Sequence, residues 1–135
     1  MTGVVYSSLA TLIIPKLRSW LNARPETYAH GVWVANKLVP NKPRIITVVR
    51  GPSTGAFDTL DSASLRVNIR DPDEASAEDL TDLTRAFFES TSGAIDGNPI
   101  TWAKVTAGPL EIENATNTHQ WYFVVDAIRR GSPLT

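Results

Sequence analysis

The chain has 135 residues, 42% hydrophobic and 20% charged, with 13 basic residues against 14 acidic for a formal net charge of −1. That length fits one domain, 1–135, able to bury roughly two-thirds of the surface its unfolded chain exposes, and the composition excludes wholesale disorder. Near-neutral charge argues against a protein built to grip phosphates, and the lack of cysteine excludes disulfides, thiolate catalysis and cysteine metal sites together.

A first amphipathic helix is predicted from about Val4 to Asn22, where Val5, Leu9, Leu12, Ile13, Leu17, Trp20 and Leu21 recur with helical period. Pro15 removes an amide donor and clashes one turn back, so the helix either kinks there or begins near it after an extended arm. The apolar run from Leu9 to Ile14 has no basic residue before it, and Lys16 and Arg18 follow closely. Neither a secretory signal nor a membrane span of about twenty apolar residues is expected there.

Pro25 stops the helix, and Gly31 opens a first short strand to Lys37 in which Val32 and Val34 alternate with Trp33. Pro40 to Pro43 reads as a turn, because two close prolines cannot sit in a ladder. Arg44 to Arg50 is a β-branched run, apolar enough to be a central strand covered on both sides. The thirteen residues Gly51–Ala63 then read as a loop much longer than a hairpin needs. Phe57 and Leu60, with Asp58 and Asp61 beside them, make that loop the candidate protein-interaction site; alternatively both apolar side chains tuck back onto the sheet.

Ser64 to Arg70 alternates strictly, with Leu65, Val67 and Ile69 on one face and Arg66, Asn68 and Arg70 on the other. Asp71-Pro72-Asp73 breaks this strand, and a second helix starts at Asp73 or at Ser76, where Ser76 with Asp79 resembles a capping box. Leu80, Leu83 and Phe87 form its buried stripe, joined by Ala86 in one reading, and Ser92-Gly93 ends it. A strand from Ile100 to Ala107 is closed by Gly108-Pro109, and a last strand runs from Gln120 to Arg130. There Trp121 and Phe123 face the core and Tyr122 the surface. The predicted order is α-β-β-β-α-β-β, an α+β fold with a mainly antiparallel sheet of four to five strands and two amphipathic helices.

Chemistry-bearing motifs are sparse. Gly51-Pro-Ser-Thr-Gly55 follows a strand but lacks the lysine and helix start of a phosphate loop, and reads as a structural turn. Glu111, Glu113 and His119 contain carboxylates and one histidine but match no metal-ligand spacing. Asp71, Asp73 and Glu74 are explained by turn formation and capping. No catalytic residue, cofactor or metal is expected, which argues against an enzyme.

An N-terminal amphipathic helix leads to Val39-Pro40 and Pro43, followed by Ile45-Ile-Thr-Val-Val-Arg50-Gly51 and a polar stretch ending near Asp61. Then come Leu65-Arg-Val-Asn-Ile69, a helix with Ala75 and Ala77 near its start, a late Gly108-Pro109, and a final strand ending Ile128-Arg129-Arg130. Taken together over nearly the whole chain, these features resemble the tail terminator (tail completion) proteins of long-tailed bacteriophages. The resemblance implies a non-catalytic virion protein, assembled in the host cytoplasm and placed at the head-proximal end of the tail. Its implied partners are its own copies in a hexameric ring, the tail tube protein and head–tail connector proteins, with genomic DNA passing through unbound and no membrane involved. Three other readings remain: a neck connector protein, a small-molecule-binding or regulatory α+β domain, and a small hydrolase.

Overall fold

The computed structural model describes residues 4–6, 9–57, 60–90, 100–112 and 118–133, with side-chain surroundings over 13–51, 64–90, 104–112 and 118–127. Strand β1 (Val4–Tyr6) precedes helix α1 (Leu9–Ala23), and a short 3-10 turn (Thr27–Ala29) leads to β2 (Trp33–Ala35). Strands β3 (Ile45–Phe57) and β4 (Leu60–Asp71) come next, then helix α2 (Glu74–Ser90), β5 (Ile100–Ile112) and β6 (His119–Pro133). The main sheet runs β5-β6-β4-β3-β2, and β1 pairs with the last residues of β6. The predicted α+β architecture and its element order are thus present, with a three-residue strand added in front.

All pairings are antiparallel except β2 with β3, which is parallel. A parallel connection usually needs a dozen or more residues and a helix. Here β2 is three residues long, about 10 Å, and the intervening 36–44 can extend about 30 Å. So the prolines at 40 and 43 sit in a crossover rather than a hairpin turn.

The hydrophobic core forms between both helices and one face of the sheet. Ladder partners share a face, so Ile46 lies beside Ile69, Val48 beside Val67, Val67 beside Phe123 and Leu65 beside Val125. These residues pack in one cluster with Ile13, Leu17 and Leu21 of α1 and with Leu80, Phe87 and Phe88 of α2. Ring contacts link Trp20 to Phe87, Phe87 to Phe88 and Phe88 to Phe123 at centroid distances of 5.3, 5.1 and 5.9 Å. Such pairs add to area burial through their tilted and edge-on geometry.

Helix α1 begins at Leu9, not Val4, and Val5 belongs to an extended arm. It runs through Pro15, which is exposed. Helix α2 is capped by Asp73, the first of the two predicted starts. Its Oδ2 accepts the Ser76 amide at 2.8 Å, and its main-chain oxygen accepts the Ala77 amide at 2.9 Å. Ser76 lies inside the helix, so it forms no capping box. The buried stripe of α2 comprises Ala77, Leu80, Thr81, Thr84, Phe87 and Phe88, with Leu83 only partly buried and Ala86 exposed. Thr81 and Thr84 enter it because their hydroxyls donate to the Ala77 and Leu80 carbonyls, each at 2.7 Å, so neither hydroxyl is buried unpaired.

The long loop predicted at Gly51–Ala63 is replaced by strand. β3 continues to Phe57 and β4 begins at Leu60, with Phe57 paired to Leu60 and Ala56 to Asp61. Register shifts between Arg50 and Ser53, and between Ser53 and Gly55, let Pro52 sit in a β-ladder, as bulges do. The same shifts replace the turn expected at Gly51–Gly55. Likewise Gly108-Pro109 does not close β5; the strand runs on to Ile112 with shifts around Ala107, proline being tolerated on an edge strand.

Candidate functional site

Among the described residues both helices cover one face of the sheet and none covers the other. Alternation puts Ile45, Thr47 and Val49 of β3, Arg66, Asn68 and Arg70 of β4, and Gln120, Tyr122 and Val124 of β6 on that second face. Leu110 of β5 joins them opposite Tyr122 and is 55% exposed, while Val49 is 42% exposed. Arg66 lies over the Tyr122 ring at 4.4 Å, a contact that holds a cation on an otherwise mixed surface.

The crossover 36–44 folds over the lower part of this face and changes its chemistry. Beneath it Ile45, Thr47 and Gln120 are buried although no helix covers them. Two neighbouring cavities result. One of about 410 Å³ is largely apolar, walled by Leu38, Val39, Pro40, Pro43, Ile45 and Pro72. The other, about 350 Å³, is lined mostly by polar residues, Asn36, Lys37, Thr47, Asn68 and Gln120, with Val49 beside them. Leu38 and Arg70 line both.

The two arginines flanking this region are held differently. Arg44 donates to Asp71 Oδ2 at 2.8 Å, to the His30 carbonyl at 2.7 Å and to the Tyr28 carbonyl. Asp71 also accepts the Asp73 amide at 2.9 Å, so this pair is a structural clamp. Arg70, by contrast, makes no hydrogen bond or ion pair among the described residues. Gln120 donates to Asn68 Oδ1 over a long 3.3 Å, and its own side-chain oxygen is buried with no donor.

Charge is distributed unevenly. Lys37, Lys42, Arg66, Arg70 and Lys104 belong to the open face or its crossover, with Asp126 paired to Lys104, while α2 exposes Glu74, Glu78, Asp79 and Asp82 on the helix-covered side, where α1 exposes Arg18. Among perturbed groups, Asp73 is held below its ordinary value, first by the Ser76 amide and then by the Ser76 hydroxyl. Tyr28 is pushed up by burial, with Glu26 and Asp79 adding to the effect. Both accompany caps and packing rather than a reaction centre.

Of the predicted interaction residues, Phe57, Leu60 and Asp61 lie on paired strand ends rather than on a free loop, and Asp58 lies outside the described residues. Glu111 on β5 is paired to Trp121, and His119 to Asp71 of β4. Glu113 lies outside the described residues. Among the described residues no three histidines or carboxylates gather in metal-holding geometry. The cavity residues escape motif reading because they come from the crossover and two strands; the one sequence signal is the polar alternation Arg66, Asn68, Arg70. No protein-family model matches the chain, and no curated protein matches it.

Proposed function

We propose that the protein is a structural subunit of a bacteriophage tail, a terminator whose ring caps the tail tube, ends tube polymerisation and presents the surface for head attachment. The observation that carries this reading is the element order over the whole chain: an amphipathic helix, a β3–β4 pair, a capped second helix and two long closing strands. Three features of the molecule support it. Among the described residues no helix covers one face of the sheet, and Val49 and Leu110 are exposed on it, as a subunit that buries surface on assembly would have. The ends of β3 and β4 form a paired tip bearing Phe57 and Leu60. The net charge of −1 suits a lumen through which DNA slides without counterion-releasing contacts. The reading gives no residue a catalytic role.

The test is tube capping. Purified protein added to growing tail tubes should arrest their length, and negative-stain microscopy should show closed rings at one tube end. Tubes that lengthen unchecked in its presence would overturn the terminator reading. Rings that bind portal-bearing heads but not tubes would transfer the protein to the neck connectors.

A further inference from the structure

The two cavities beneath the crossover 36–44 have a chemistry that a ring subunit does not require. One is lined mainly by apolar residues, with Lys42 and Thr118 at its wall, the other mainly by polar ones, and Leu38 and Arg70 line both. A guanidinium without any partner among the described residues is set between them. Lys37, exposed on the crossover, adds a second cation to the polar cavity. Arginine is suited to grip a carboxylate because its planar fork matches the two oxygens. Among the described residues neither cavity wall contains an aspartate or glutamate, so none of them repels an incoming anion.

Gln120 supplies the second requirement. It is 7% exposed, lines the polar cavity, and has a buried side-chain oxygen that no donor reaches. The terminal torsion of glutamine is soft, and its hydrogen bond to Asn68 is long at 3.3 Å. The oxygen therefore turns readily to a donor that enters beside it. The apolar cavity, with Leu38, Pro43 and Pro72 in its wall, receives a hydrocarbon side chain. An anion, an adjacent N–H donor and an apolar branch coincide in one chemical group, the α-carboxylate end of an acylated apolar amino acid.

We propose that these joined cavities bind that group, with its carboxylate on Arg70 and Lys37, its amide N–H on Gln120 and its side chain beside Leu38. The same group occurs on a free N-acyl amino acid and on the last residue of a peptide. The proposal stands independently of the ring reading, since it concerns a single subunit.

The test is titration of the full chain with N-acetyl-L-leucine, followed by amide chemical shifts. Saturable binding is expected with a Kd of about 1 mM, the affinity a ligand of this size reaches at ordinary efficiency. N-acetyl-L-leucinamide, which lacks the charge, should bind at least about tenfold more weakly, as should the acid to Arg70→Gln. Lys37→Gln is exposed and does not threaten the fold; it should weaken the acid about two- to threefold. A short acylated peptide ending in leucine identifies the source. Tighter binding than the single residue assigns the site to peptide termini, and equal binding assigns it to free acids. No saturable shift up to about 20 mM, twentyfold above the expected Kd, would reject the proposal. So would equal affinity for acid and amide, or unchanged affinity in both variants.

Discussion

The Arg44–Asp71 pair shows how one side chain joins parts of the chain far apart in sequence. Arg44 at the start of β3 holds the carbonyls of Tyr28 and His30 and the carboxylate that ends β4. The Asp71 side chain is only 2% exposed, so removing its cation leaves a buried charge with the Asp73 amide in place of an ion pair. Arg44→Ala should therefore cost about 3–5 kcal/mol in urea unfolding; a loss below about 1 kcal/mol would show that the carboxylate finds other partners. Asp73, two residues on, acts through a titratable cap instead. Its folded value lies below the ordinary 3.8 because the Ser76 amide donates to the carboxylate. The resulting stabilisation is fully present above that ordinary value and is lost as pH falls through the lower folded one. Asp73→Asn retains a capping oxygen without the charge. Its deficit relative to the parent should be small at neutral pH and should vanish in acid. A deficit that stays unchanged as pH falls far below the ordinary Asp73 value would mean the charge contributes nothing.

Helix α2 is the element on which the core depends most. Phe87 is 5% exposed and contacts both Trp20 and Phe88 rings, so it links α1 to the sheet. Phe87→Ala should cost about 3–5 kcal/mol, measured by denaturant midpoint at constant slope. Gly108 tests a different kind of fit. Its φ is +80°, and a Cβ there would stand 2.7 Å from the Tyr122 carbonyl oxygen, so backbone rather than a flexible side chain obstructs it. Gly108→Ala should destabilise by at least about 1–3 kcal/mol from the backbone conformation alone. At this scale much of the fold was legible in the chain. Alternation in 64–70, the period of Leu80 and Phe87, and the acid-rich start of α2 all report local geometry that neighbours enforce rather than oppose. Phe88, Thr81 and Thr84 were not legible as core, because a threonine hydroxyl reads as polar until its bond to the preceding turn is seen. The β3–β4 ends read as loop because Gly51, Pro52 and Gly55 are punctuators, and only the bulged register shows a ladder absorbing them. The cavities were least legible of all, since Leu38, Arg70 and Gln120 come from three segments that the parallel crossover brings together.

Across the whole molecule, one side of the sheet is sealed by helices and the other is left to the crossover and to exposed Val49 and Leu110. If the protein is the ring subunit proposed above, this face is available for neighbours, and head-to-tail contacts close into rings when the rotation between copies permits. The paired tip of β3 and β4 is the second candidate contact. Phe57 is paired to Leu60 there, and Asp61 to Ala56, so an apolar pair and an acid share one strand end. Apolar residues beside an acid are the composition expected of a protein contact. The tip's backbone bonds are supplied by the ladder, so a side-chain change should leave them intact. Phe57→Asp should then keep the thermal midpoint within about 2 °C of the parent, the range of a substitution outside the core. On the proposed terminator reading, the same variant should fail to form rings or to arrest growing tail tubes, read by light scattering and negative-stain microscopy together. Loss of the cooperative unfolding transition would instead place Phe57 in the core, with the tip merely packed. Normal rings and normal capping would move the contact to the open face, where Val49→Asp and Leu110→Asp become the deciding substitutions.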